Sequence, residues 1–551
     1  MAAVNMMMEF LRGQPVIVLF LLLGLGHLLG RIKVAGFALG PIAGTLLIAI
    51  VLGNFGFRVS PGAQAVGFAL FIFSVGYQAG PRFIEVLRAQ GLKYFALTLF
   101  VVGIGFVLAW VAGHVLALPI GASAGLLAGA LTSSPTLAAA QDAVRSGLVA
   151  LPVGWSTEAA LASIGASYAI TYLVGTLGIV AAVSLLPRIL RLDLAEAARH
   201  FEDTGAELTE ALQARAYRVE NHEFCRATVR ELREKLCDDL AVVRFRRDLE
   251  WVNLADEARL RIGDEVYAYG HAAFFRGGID RAGPEIPVLK EVELSASQTQ
   301  VVIARKGAVN KTLRDLDLAR RYGLVVCEAK RDGYPLPVTR DLTLQRGDIL
   351  TVVGPVWGIK ALPETLGPVE ANPLETDMTT FVFGVTIGAA IGLLSITVAG
   401  VPLTLGSAGG LMLIGILIGA VNSARPTIGR FPDAARWILM EFGLLIFIAG
   451  VGLTAGGGIV ETFRHSGLTL IMAALLVVTL PLSLGYLFGR RVLKLEPVVL
   501  LGALTGAMTS GPALGLLTRE ARSPVPTLGY TGTYAMASIL LTAAGSLIMH
   551  L

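Results

Sequence analysis

Charge is what this chain has least of. Of its 551 residues only 16% are charged, where soluble domains carry about 25%, so an all-soluble multidomain enzyme is excluded. Cysteine is scarce as well. Cys225, Cys237 and Cys327 are the only three, with no CxxC and no metal-like His/Cys spacing, which leaves reduced thiols and no metal site as the expectation. No GxGxxG follows a strand pattern, so a dinucleotide fold and its cofactor are not expected. A TVGYG-like filter is missing too, which disfavours a potassium channel. The net charge of +4 comes with no basic stripe and gives no nucleic-acid footprint. No nucleophile or acid–base constellation stands out, so an enzyme is not expected. Acidic residues are almost absent from the interiors of the apolar runs, with Glu158 and Glu441 near their ends. Proton pumps usually carry an intramembrane carboxylate, so this scarcity favours exchange or uniport of an organic anion.

What is abundant is apolar sequence. Hydrophobic residues make up 54% of the chain and 64 residues are glycine; the mean hydropathy is +0.68. Glycine excess with little charge is the composition of closely packed transmembrane helices. The charges are also segregated, with 57 of the 86 falling between Arg191 and Glu370. The chain therefore divides into a first membrane repeat over 1–190, two soluble units over 191–282 and 283–370, and a second membrane repeat over 371–551. Against the roughly 20 apolar residues needed to cross a bilayer, spans are expected near 15–30, 37–54, 64–79, 93–117 and 157–187. In the second flank they are expected near 379–398, 405–421, 437–454, 467–488 and 525–550. Two further apolar stretches, 119–147 and 497–519, carry internal breaks. The first run, Pro15 to Leu29, has no small-residue cleavage site and reads as a retained helix.

The flanks repeat one another. At an offset of 376, Gly76, Ala79, Gly80, Glu85, Arg88 and Gly91 fall on Gly452, Ala455, Gly456, Glu461, Arg464 and Gly467. At an offset of 377, GALTSSPTL (129–137) falls on GAMTSGPAL (506–514). Val34-Ala35-Gly36 echoes Val398-Ala399-Gly400, and Tyr168-Ala169 echoes Tyr534-Ala535. If the broken stretches are re-entrant hairpins, each half has five spans, and an odd number inverts the second half. With the N-terminus outside, the inner loops then hold Arg31, Lys33, Arg82, Arg88, Lys93, Arg188 and Arg191 in one half and Arg425, Arg430, Arg436, Arg490, Arg491, Lys494, Arg519 and Arg522 in the other. The outer loops keep little beyond Arg58, Arg145 and Arg464. The positive-inside rule then puts both termini outside and the soluble insert in the cytoplasm.

Inverted repeats are the architecture of secondary transporters, which hold substrate near the midplane on broken helices. Here the breaks are Thr132-Ser133-Ser134-Pro135 and Thr509-Ser510-Gly511-Pro512. Hydroxyls and freed backbone N–H groups at such breaks suit a carboxylate; a proline-kinked helix whose Ser and Thr bond their own backbone is the plainer alternative. Arg145 and Arg522, aligned at 377, are candidate carboxylate clamps or snorkelling interfacial arginines. Gln78 and Arg82 contact substrate or end a helix. Tyr168, Thr171, Tyr172, Thr531, Thr533 and Tyr534 line the site or, for the tyrosines, form interfacial belts.

The insert is itself duplicated at an offset of 84, matching Thr228/Thr312, Arg230/Arg314, Leu232/Leu316, Arg247/Arg331, Asp248/Asp332, Asp264/Asp348 and Gly270/Gly354. Each unit reads as short strands (240–245 and 266–269; 324–328 and 349–353) around a helix near Thr228 or Thr312, with a Gly-Asp turn before the last strand. From the GHLLGRIKVAGFALG opening to the last span, with its T-S-x-P segments and central Gly-Asp units, the chain resembles the aspartate:alanine exchanger family. The two central units resemble TrkA-C domains. The resemblance implies a polytopic helical membrane protein of two inverted repeats. It implies an inner-membrane antiporter of aspartate, alanine or related C4 dicarboxylates, working by elevator-like alternating access, with a homodimer and a small-molecule regulator on the insert. A dicarboxylate exporter and an ion channel or cation transporter under TrkA-C control are the alternatives.

Overall fold

The computed structural model describes all residues except 1–8, 35–36, 86–88, 204–211, 227–239, 249, 253–258, 272–281, 288–296, 323, 332, 355, 368–375, 399–400, 405 and 425–427. Arg88, Thr228, Arg230, Leu232 and Cys237 fall outside the described residues. The chain forms two compact units, one of residues 1–197 with 375–551 and one of 198–374.

The first unit is helical. Its first half runs α1 (Pro15–Gly30), α2 (Pro41–Asn54), α3 (Pro61–Glu85), α4 (Ala89–Val115), α5 (Ala122–Ala130), α6 (Ser134–Arg145) and α7 (Thr157–Ile189). The second repeats the plan as α8 (Met378–Gly392), α9 (Gly406–Ala424), α10 (Asp433–Gly456), α11 (Ile459–Arg491), α12 (Pro497–Ala507), α13 (Gly511–Ala521) and α14 (Val525–Leu547). Six of these are long and apolar enough to cross a membrane, and the short pairs α5–α6 and α12–α13 are the hairpins the repeats called for. Proline opens α1, α2 and α12, where its fixed φ suits the helix and its missing N–H has no partner to lose. Between the first two helices of each half the sequence led us to expect continuous span or loop. Instead Lys33–Val34 pairs with Phe37–Ala38, and Ser395–Val398 with Val401–Thr404, as small antiparallel hairpins.

The halves interlock. α3 packs on α9 and α10 packs on α2, so each half grips the second helix of the other. The matched glycines make this possible. A Cβ on Gly76 or Gly80 would lie 2.4 Å from the carbonyl oxygens of Met412 or Ile416, and one on Gly456 would lie 2.4 Å from that of Ile50, all inside van der Waals contact. Small residues let helix backbones approach where no hydrophobic drive separates protein from lipid. Helices α1–α3 and α8–α10 make one bundle. The hairpins, with α4, α7, α11 and α14, make the other.

The second unit holds two antiparallel sheets. One runs, in spatial order, Glu250–Val252, Leu240–Arg247, Glu265–His271, Leu212–Arg218, Glu285–Ile286. The other runs Tyr334–Leu336, Val325–Arg331, Ile349–Gly354, Ser297–Val302. The first four strands of each correspond at the offset of 84. Each Gly-Asp turn is clamped the same way. Arg331 donates from Nε and Nη2 to the two oxygens of Asp348 at 2.7 and 2.6 Å, and Arg247 does so to Asp264 at 2.8 and 2.7 Å. The bond to Asp264 also holds the Arg247 guanidinium above its ordinary pKa. A bidentate fork of this kind fixes orientation as well as charge. In the second unit the expected helix near Thr312 is a single turn, Leu313–Leu316, closed by a Thr312–Asp315 capping box.

Candidate functional site

Each hairpin turns on the same backbone device. At the end of α5 the Thr132 N–H bonds Gly129 O and the Ser133 N–H bonds Ala128 O; at the end of α12 the Thr509 N–H bonds Gly506 O and the Ser510 N–H bonds Thr505 O. This is a Schellman ending, which puts one residue in the left-handed region, usually glycine. Here it is threonine both times, at φ +51° and +52°. A β-branched residue there is strained, and such strain gathers at functional positions.

The threonine side chains show what holds the strain in place. Thr132 Oγ1 donates to Met508 O at 3.0 Å, and Thr509 Oγ1 donates to Leu131 O at 3.0 Å and Thr132 O at 3.2 Å. The tips are therefore bonded to each other, reciprocally, across the two halves of the chain. Immediately after them begin α6 and α13, whose first-turn N–H groups have no intrahelical acceptors. Two positive helix ends start where the hairpins meet.

The candidate residues divide by place. Thr132, Ser133, Ser134, Pro135, Thr509, Ser510, Gly511 and Pro512 all belong to the joined tips. Tyr168 is fully buried on α7, which packs on α5, with its ring 5.2 Å from that of Tyr172. Tyr534 on α14 stacks on Tyr530, also at 5.2 Å. Packing follows a register different from the sequence echo. Gly129 faces Thr171, Gly506 faces Thr533, and Thr171 and Thr533 bond back to Gly125 O and Ala503 O. By this correspondence Tyr168 matches Tyr530 and Tyr172 matches Tyr534, one helical turn from the Tyr168/Tyr534 pairing read in the sequence. Gln78 is half-buried on α3, in the other bundle. Arg145 and Arg522 are exposed and stand at the far ends of α6 and α13. A twelve-residue helix such as α6 is about 18 Å long, so neither arginine joins the tips. Arg145 Nη2 instead donates to Gln141 Oε1 at 3.3 Å.

Two residues were not singled out from the sequence. Asp142, half-buried on α6, accepts the Ala408 N–H at 2.9 Å and so caps the start of α9, where an anion is favoured. Thr136, two residues beyond Pro135, bonds Ser133 through its N–H at 3.3 Å and its hydroxyl at 2.7 Å. Asp142 lies in the last turn of α6, whereas Glu441, the ninth residue of α10, stands further from its helix end than the sequence suggested. Among the described residues no cluster could hold a metal ion.

Two mirrored sets of membrane helices, each lending a bonded re-entrant hairpin to a common centre, define a multi-pass permease. The family described as Predicted Permease Membrane Region matches residues 18–188 and again 380–550, and a TrkA-C domain matches residues 299–367. The chain belongs to this family of aspartate:alanine exchanger permeases with a central TrkA-C domain. No solved structure matches the chain.

Proposed function

We propose that the protein is a secondary active antiporter of small carboxylates, aspartate and alanine or related C4 dicarboxylates, in a bacterial inner membrane. Substrate binds where the hairpin tips meet, and the hairpin bundle moves against the bundle of α1–α3 and α8–α10 in elevator fashion. The observation that carries this reading is the reciprocal bonding of Thr132 and Thr509, which sets two helix N-termini at one point among apolar helices. Anions are stabilised at such ends. The arginine distribution supports external termini and a cytoplasmic insert. The matched Arg–Asp clamps support a second TrkA-C-like module over 191–282, and the insert then serves as a metabolite sensor. A homodimer is expected from the family resemblance. Exchange of a dianion for a monoanion would move one net charge, worth about 2.3 kcal/mol per 100 mV.

Counterflow in proteoliposomes tests this. Uptake of labelled aspartate should require alanine or aspartate inside. Ser510→Ala should lower the rate about tenfold, the equivalent of one hydrogen bond to a charged group, without loss of folded protein. Uptake indifferent to internal substrate, or unchanged in both Ser510→Ala and Ser133→Ala, would overturn it.

A further inference from the structure

The two tips have the same backbone and the same serine, and yet they are chemically unequal. Ser133 and Ser510 are N-caps with nearly identical dihedrals, φ −97° and ψ 96° against φ −98° and ψ 93°. Three residues on, the first tip has Thr136 and the second has Ala513. Thr136 occupies the Ser133 oxygen twice, with its N–H and its hydroxyl. At the second tip no hydroxyl exists at that position, and among the described residues the Ser510 oxygen has no hydrogen-bond partner although Ser510 is 1% exposed. An unpaired buried hydroxyl costs about 1–3 kcal/mol, which a ligand oxygen would recover.

The surroundings differ in the same sense. Ser134, Pro135 and Thr136 are all buried, whereas Gly511 and Pro512 are exposed. A Cβ on Gly511 would meet nothing nearer than the Tyr530 hydroxyl, 4.0 Å away. The second tip thus has exposed backbone at Gly511 and Pro512 next to a buried, unpartnered hydroxyl, with two first-turn N–H groups, of Gly511 and Ala513. The first tip keeps one free N–H, that of Ser134, and Pro135 and Thr136 supply none.

We propose that the site has one carboxylate subsite rather than two. It is built by Ser510 and the N–H groups of Gly511 and Ala513, and Thr136 is the specificity-determining residue that keeps the matching subsite at Ser133 shut. This rests on the functional reading above and sharpens it. A second carboxylate on the substrate gains no partner at the first tip, so monocarboxylates and dicarboxylates of similar length bind alike.

The test uses ligand-induced thermal stabilisation of the purified full-length protein with propionate, succinate and, as the uncharged control, propionamide. Ligands that bind only the folded state raise its stability in proportion to affinity. In the unmodified protein propionate and succinate should give similar dissociation constants and propionamide no shift. Thr136→Ala should tighten succinate about tenfold over propionate, by admitting one more charge-assisted bond. Thr136→Val, which keeps the side-chain shape, should do the same if the alanine variant folds poorly. Ala513→Ser should weaken both acids about tenfold by tying up Ser510. If the acids bind and Ser510→Ala weakens both about tenfold, but the succinate-to-propionate ratio is unmoved in both Thr136 variants, the single-subsite assignment is wrong and the functional reading survives. Tenfold tighter succinate in the unmodified protein would have the same meaning. Silence of both acids would overturn the assignment together with the functional reading beneath it.

Discussion

The first hairpin is docked and the second is not. α6 packs on α9 and is fastened to it by Asp142, and from Ser134 to Val144 every other residue is buried. The mirror contact, α13 on α2, is not among the packed helix pairs. α13 instead exposes Gly511, Pro512, Gly515 and Arg519; Gly511, Gly515 and Arg519 recur every four residues and so share one face. Two copies of one hairpin thus stand in different relations to the same partner bundle. Under the alternating-access reading proposed above, that difference corresponds to a state closed along the first hairpin and open along the second.

The sharpest contrast should come from thiol labelling. Gly515→Cys, where an added side chain meets nothing within 4 Å, should react readily with a maleimide. Ala138→Cys, its aligned counterpart at 0% exposure, should stay unlabelled. Equal reactivity would dissolve the comparison. The experiment belongs near pH 7. Burial, helped by the charge of Glu328, raises the Cys327 thiol to about 11, so its thiolate is scarce at neutral pH and background labelling climbs as pH approaches that value.

Next in size is the fastening itself. Asp142→Ala should cost about 2 kcal/mol, the usual contribution of hydrogen bonds to a charged group. Arg519→Ala, at the aligned position of the second hairpin, should stay within about 0.5 kcal/mol as an exposed substitution. Thermal denaturation of the purified variants measures both, and equal costs would mean the hairpins are equally docked. The smallest effect should be symmetric. Thr132→Val and Thr509→Val each remove one hydroxyl donor between the tips, shared between two carbonyls in the case of Thr509, and should each cost about 1 kcal/mol. Each should be partly non-additive with the other, because they share one junction.

Much of this arrangement was legible in the sequence. Proline after Thr-Ser in apolar text marked both hairpins, because a residue without an N–H cannot continue a helix interior. The Gly-Asp turns marked the insert's repeat. The spacing of Gly76, Gly80, Gly452 and Gly456 marked what proved to be the interlocking helix contacts. Other features had no local signal. Asp142 sits in AAAQDAVR, which reads as the polar end of a hairpin; its role depends on α9, more than 260 residues away. The tyrosine register was misread because the connection before α7 is longer than the one before α14, and alanine-rich text aligns equally well one turn off. The inequality of Ser133 and Ser510 is invisible while identical residues are compared with each other. It resides in Thr136 and Ala513.

The route of the chain through the soluble unit carries one more consequence. The polypeptide leaves the membrane from α7, which carries the hairpins, and re-enters through α8, which belongs to the opposite bundle. The point of re-entry is firmly anchored. Asp377 accepts from Thr380 and from the Gly429 N–H, and its own N–H donates to Arg430 O. These donors hold its carboxyl below the ordinary range. In the elevator scheme proposed above, the insert is thus the covalent link in sequence between a helix of the hairpin bundle and a helix of the other bundle. Under that scheme a regulator acting on the insert acts on a segment whose two ends belong to different bundles.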